Sequence, residues 1–122
     1  MKLEPTIIET ILKAESKALA TRSDTDINVV PVSTVEIINN QIILVNYFMN
    51  KTLDNILNNP HIALCCWKGT TGIQVKGSVN YQTAGGIFDQ MKQKIAQVFP
   101  ERTVQGVIII EPQSVFDISL AT

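Results

Sequence analysis

Lys51 and Thr52 stand where an apolar run, Ile42-Ile43-Leu44-Val45, passes through Asn46-Tyr47-Phe48-Met49-Asn50 into a helix-like segment over 52–59. A helix start presents unpaired backbone N–H groups and the positive end of the helix dipole. An ammonium and a hydroxyl placed there make a seat for phosphate. The other chemically capable residues signal less. The one histidine, His61, follows Pro60 with no acid cluster beside it, and reads as a surface residue rather than a metal ligand. A single histidine also gives no Ser-His-Asp or Cys-His set that spacing could identify. Cys65 and Cys66 are adjacent in a strand-like run. Successive strand residues point to opposite faces, so the pair reads as core packing rather than a bridge.

Periodicity sets out the elements that must hold this seat. Residues 6–15 read as a helix with Ile7, Ile8, Ile11 and Leu12 on one face and Pro5 in its first turn. A short strand over 18–21 and a polar turn over 22–26 follow. A β-branched strand over 27–35 carries Pro31, which marks an edge or a bulge. Asn39-Asn40 is the turn of a hairpin whose second arm is 41–45. The helix over 52–59 turns Leu53, Ile56 and Leu57 inward and stops at Asn58-Asn59-Pro60. Strands over 62–67 and 73–83 flank a turn at 68–72, with Gly77 marking a bulge. A third helix buries Ile87, Phe88, Met91, Ile95, Val98 and Phe99, leaves Asp89, Lys92 and Lys94 in solvent, and ends at Pro100. Residues 106–110 form a continuous apolar run, read as a fully buried strand, and 115–120 continue as an extended segment.

The 122 residues bound one domain, 1–122. Six or seven strands joined mostly by short turns predict a mainly β, antiparallel fold: a β-barrel with short helices, closed to remove sheet edges. The helices are too few for a βαβ layout. Hydrophobic residues make up 45% and charged residues 17%, so part of the apolar surface is expected to be covered by a partner subunit. Ten Lys+Arg against eleven Asp+Glu, scattered singly, give no footprint for nucleic acid. No run approaches the ~18 apolar residues of a membrane span, and the first twenty residues show no signal pattern. A cytoplasmic location is expected.

Three stretches carry a resemblance: ALATRSDTDINVVPVSTVEI at 18–37, IILVNYFMNKTLDNILNNPHIALCCW at 42–67 and GIQVKGSVNYQTAGGIFDQM at 72–91. In that order they resemble the FMN-binding split barrels related to pyridoxamine 5'-phosphate oxidase, an antiparallel, Greek-key-like fold. The resemblance spans nearly the whole chain. It implies a homodimer with two FMN sites at the interface, each built from both subunits. By that resemblance Lys51 and Thr52 hold the FMN phosphate and Asn50 assists at the helix start. Asn28, Val29, Val30 and Pro31 lie along the flavin ring and ribityl chain, and Val45, Asn46 and Tyr47 line the other side. Thr71, Gly72, Gln74 and Trp67 come from the second subunit. Trp67 reads alternatively as core or interface, Gln74 as facing the barrel interior, and Tyr47 and Phe48 as either stacking on a ring or covering a barrel end.

The resemblance further implies an FMN-dependent oxidoreductase acting on a small molecule, with NAD(P)H or a redox protein as donor. The alternative is a non-enzymatic electron-transfer module. Haem or a deazaflavin is a lesser alternative, and the scarcity of histidine speaks against haem. The oxidase itself carries arginines and a histidine near its C-terminus for its phosphorylated substrate. The segment 117–122 here has no basic residue, so pyridoxamine phosphate oxidation itself is not expected. The family's usual glycine after Ala20-Thr21 is also missing, leaving Asp24 and Asp26 to form that turn.

Overall fold

Two sheet edges that are consecutive in the chain govern this architecture. The computed structural model describes residues 1–120; Ala121 and Thr122, the last positions of the expected domain and basic-poor tail, lie outside the described residues. The elements run α1 (Pro5–Lys13), β1 (Ser16–Arg22), β2 (Ile27–Pro31), β3 (Val35–Ile38), β4 (Gln41–Asn46), α2 (Lys51–Asn58), β5 (His61–Lys68), β6 (Thr71–Gln82), α3 (Gly86–Val98) and β7 (Gly106–Asp117). The strands form one sheet in the order β2-β1-β5-β6-β7-β4-β3, with every neighbouring pair antiparallel.

Laid flat, seven strands would hold β2 and β3 roughly 29 Å apart, at about 4.8 Å per gap. Yet only Val32-Ser33-Thr34 join them, and four Cα steps reach about 15 Å at most. The sheet must curl on itself, giving a barrel split between β2 and β3. The strand expected over 27–35 therefore ends at Pro31, which has no N–H to donate onward. Val32 N donates to Lys17 O at 3.0 Å as the chain leaves the ladder.

Leu19, Ile42, Leu44, Leu64, Val75, Ile108 and Ile110 fill the barrel, with Ile11 of α1 and Ile56 of α2 against them. The outer sides of β4 and β7 are also covered: Ile43, Val45, Val107 and Ile109 pack on Met91 and Ile95 of α3. These two strands are buried on both faces, which is why their sequences run apolar without alternation. The helices bury narrower stripes than expected. Leu12, Leu57 and Val98 are exposed, because a helix resting on a sheet touches it along a stripe and each of these residues flanks that stripe.

Asn39 (φ 51°) and Asn40 (φ 62°) are both left-handed, as a two-residue hairpin turn requires. The buried strand read over 106–110 and the extended segment read from 115 belong to one strand, since β7 continues through Pro112 to Asp117. Gly77 pairs with Pro112 and Lys76 with Ser114, so the extra residue of the bulge is Gln113 on β7, opposite Gly77. The bulge is where the proline's missing donor is tolerated. The adjacent cysteines take opposite faces. Cys66 points inward, and burial pushes its thiol up to about 11. Cys65 lies on the outer face, where Gln74 Nε2 donates to its Sγ at 3.7 Å. Among the described residues no helix is long and apolar enough to cross a membrane.

A Cβ at Gly77 would stand 2.3 Å from the Glu111 carbonyl oxygen, so only glycine lets β7 approach here. Gly77→Ala should cost about 1–3 kcal/mol through the backbone shift it forces. Urea unfolding followed by far-UV circular dichroism checks this, and an unchanged midpoint would refute the close-approach argument.

Candidate functional site

The split in the barrel opens into a recess of about 290 Å³. Asn28, Val30, Pro31, Val32 and Ser33, from β2 and the connection after it, make one wall. Val45, Tyr47, Phe48, Met49, Asn50, Lys51 and Thr52, from β4 through the start of α2, make the other. Apolar side chains dominate both walls, and the polar groups gather towards α2.

α2 starts at Lys51 with no side chain capping it, so its first N–H groups remain available. Asp54 N donates to Asn50 O at 3.0 Å, closing the first turn. Asn28 Nδ2 donates to Thr52 Oγ1 at 2.9 Å, which leaves the Thr52 O–H itself able to donate. Asn55 Nδ2 donates to Thr21 Oγ1 at 3.1 Å, so α2 is tied to β1 as well as to β2. Lys51 Nζ lies 3.7 Å from Asp26 Oδ2 in the β1–β2 turn.

The loop between β4 and α2 is held from behind. Asn46 is fully buried at 0% exposure and does not line the recess. Its Oδ1 accepts from Met49 N at 2.7 Å, and its Nδ2 donates to the Tyr81 hydroxyl at 2.9 Å. Its carbonyl accepts from Gln105 N at 2.9 Å, while Gln105 Nε2 donates to Tyr47 O at 3.0 Å. Gly106 leaves room for the Tyr81 ring, whose hydroxyl would sit 2.1 Å from any Cβ there. The Tyr47 and Thr34 hydroxyls share a hydrogen bond of 2.8 Å that links the two walls. The Arg102 guanidinium lies 5.1 Å from the Tyr47 ring and 4.0 Å from that of Phe99.

Of the residues expected at a site, Asn28, Val30, Pro31, Val45, Tyr47, Asn50, Lys51 and Thr52 come together here. Val29 faces the opposite side of β2, as strand alternation dictates. Trp67, Thr71, Gly72 and Gln74 lie on β5, β6 and their turn, outside this recess. Gln74 is on the outer sheet face beside Cys65, not in the barrel interior. Val32, Ser33 and Met49 were not expected. Their only signal was adjacency to Pro31 and to the Lys-Thr loop. Among the described residues, no cluster of three metal-ligating side chains occurs.

The donor set fits FMN. It joins an anion seat at an uncapped helix start to apolar walls suited to a flat ring. Residues 3–121 match the family described as pyridoxamine 5'-phosphate oxidase. The chain belongs to that family. No curated protein matches it in sequence. Among solved structures, HupZ of Group A Streptococcus superposes with a TM-score of 0.84 at 20% identity, covering 96% of this chain and 94% of that one. An FMN-binding protein from Syntrophomonas wolfei gives 0.81 at 18% identity, covering 96% and 89%. HutZ, the haem storage protein of Vibrio cholerae, gives 0.72 at 15% identity, covering 95% and 94%. At these identities the likeness establishes the pyridoxamine-oxidase-like split-barrel fold.

In this family member the recess wall depends on Asn46. Asn46→Ala should orphan the Met49 N–H and the Tyr81 hydroxyl, costing about 2–4 kcal/mol in unfolding free energy. Chemical denaturation reads this directly; a loss under about 0.5 kcal/mol would mean that the buried amide is dispensable.

Proposed function

We propose that this protein is a homodimeric flavoprotein that binds FMN between its subunits and passes electrons to a small molecule. The observation that carries the reading is the placement of Lys51 and Thr52 at the uncapped start of α2, at the polar end of an apolar recess. Lys51, the Thr52 hydroxyl and the helix-start N–H groups would hold the phosphate by charge-assisted hydrogen bonds. Val30, Val45 and Met49 would flank the ring and exclude water. Bound FMN would supply the electron transfer. The FMN-binding relative from Syntrophomonas wolfei supports this choice of cofactor.

Among the described residues lining the recess, the titratable side chains are Lys51 and Tyr47, and the Tyr47 hydroxyl is tied to Thr34. This chain's part is therefore to bind, orient and exclude water rather than to move protons. Lys51 is also the one cationic side chain there, and the cofactor phosphate would occupy it. Within this chain's own recess walls that leaves no second cation for a phosphorylated substrate, so pyridoxamine phosphate oxidation is not part of the proposal. Haem is served less well despite the relation to HutZ. The single histidine, His61, sits in a separate recess with Arg22 and Lys76.

A second copy of the chain is the proposed partner. At about 290 Å³ the recess is at the low end for a ligand of this size. Beside it, the outer face of the sheet is small and apolar. Ala18 pairs with Pro31 and Cys65, and Ala20 pairs with Val29 and Ala63. Ile27 (80% exposed) and Val29 (62%) extend the patch along the edge strand. Small side chains let another sheet approach closely, and Trp67 and Gln74 lie on this same outer face, as a site shared with a second copy would need.

A visible spectrum after FMN addition tests the cofactor. Yellow protein with shifted flavin bands is expected, and absence of binding removes the proposal. Lys51→Ala should weaken binding by about 1.5–3 kcal/mol, the range for a charged hydrogen bond. Sedimentation equilibrium should return twice the chain mass, and Val29→Asp should shift it towards the monomer. A strictly monomeric wild type would remove the shared site. Steady turnover of a quinone or nitro compound with NAD(P)H would separate an enzyme from an electron-transfer module.

A further inference from the structure

The phosphate seat contains its own counter-ion. Lys51 Nζ is 3.7 Å from Asp26 Oδ2, and both side chains are well exposed, at 63% and 66%. The turn bearing Asp26 is fixed by backbone bonds: Ser23 N donates to Asp26 O at 2.9 Å, and Ser23 Oγ accepts from Asp26 N at 3.0 Å and from Thr25 N at 3.3 Å. None of these bonds uses the Asp26 carboxylate. The carboxylate is thus held near the lysine by the turn and is free to face it. Lys51 is the only cation lining the recess among the described residues, so the lysine and its neighbour sum to no net charge.

We infer that Asp26 sets how tightly this site holds a phosphate, by competing with the ligand for Lys51. The inference rests on the flavin reading above and adds to it a specificity. A phosphate near −2 charge arriving at this seat meets a carboxylate as well as an ammonium. Much of the attraction of one is offset by the repulsion of the other. The neutral donors, namely the Thr52 hydroxyl and the helix-start N–H groups, then carry a larger share of the phosphate's binding than they would beside an unopposed lysine. The site therefore distinguishes a phosphorylated flavin from an unphosphorylated one less sharply than an unopposed lysine would, and its affinity for FMN is less sensitive to salt. Removing the carboxylate restores an unopposed cation, which raises both the preference for phosphate and its sensitivity to screening.

The test is fluorescence titration of FMN and of riboflavin, which has the same ring without the phosphate, against wild type, Asp26→Asn and Asp24→Asn. Asparagine at 26 keeps every backbone bond of the turn, and Asp24 lies in the same turn without the Lys51 contact. Asp26→Asn should tighten FMN by about 3- to 10-fold at low salt, as one screened charge pair allows. Riboflavin affinity should stay unchanged, and Asp24→Asn should change neither ligand. The gain should shrink as ionic strength rises. Unchanged FMN affinity in Asp26→Asn overturns the inference while leaving the flavin reading intact. An equal gain for riboflavin, or for Asp24→Asn, overturns it too, since the effect would then not be local competition at the phosphate. A wild type that binds neither flavin removes the flavin reading itself, and this inference with it.

Discussion

Three residues, Val32-Ser33-Thr34, join the two edges of a seven-stranded sheet, and that short tether shapes everything else. It forces the sheet to curl, because no flat arrangement lets its edges come so close. The curl encloses Leu19, Leu44, Leu64, Val75 and Ile108 in one interior. The edges do not pair with each other, and the recess lies between β2 with the tether on one side and the end of β4 with the start of α2 on the other. The same segment that closes the barrel supplies Val32 and Ser33 to the recess wall.

The opposite wall needs a different support, since it is a loop with few bonds of its own. A buried amide provides it. Asn46 has the donor and acceptor needed to hold Met49 in front and Tyr81 behind, and Gln105 completes the frame through Tyr47. Burying an amide is unfavourable unless each polar atom is satisfied, and here none of the described buried side-chain polar atoms lacks a partner. A satisfied polar network fixes geometry more sharply than apolar packing alone, which suits a wall that must meet a flat ligand.

Much of this was legible in the sequence. The Asn39-Asn40 hairpin, the helix beginning at the Lys-Thr pair and the buried run over 106–110 follow from local chemistry, and local chemistry decided them. The recess residues flanking Lys51 were named through the family resemblance carried by the stretch 42–67. What sequence did not reveal depends on contacts between distant elements. The exposure of Leu12, Leu57 and Val98 depends on where each helix rests, which periodicity does not report. The passage of β7 through Pro112 depends on the bulge opposite Gly77. Asn46 looked like a wall residue because Val45 and Tyr47 are. Its inward turn depends on Tyr81, thirty-five positions away, as well as on nearby Met49. Asp26 looked like a turn former, and its nearness to Lys51 arises from the folding of β2 against α2.

The position of β7 carries a consequence for how the chain reaches this state. It is the last strand in sequence but lies between β6 and β4 in the sheet. Until residues 106–117 are available, β3 and β4 form only a hairpin, and β2, β1, β5 and β6 form a separate open sheet. Neither half can bury both sides of its apolar strands. The ladder from β4 to β7 joins residues sixty or more positions apart, so closing it costs loop entropy that local hairpins avoid. Without β7, the β3–β4 hairpin has no pairing to the rest of the sheet. β7 is thus the strand that joins the two parts of the sheet, by pairing with β6 on one side and β4 on the other.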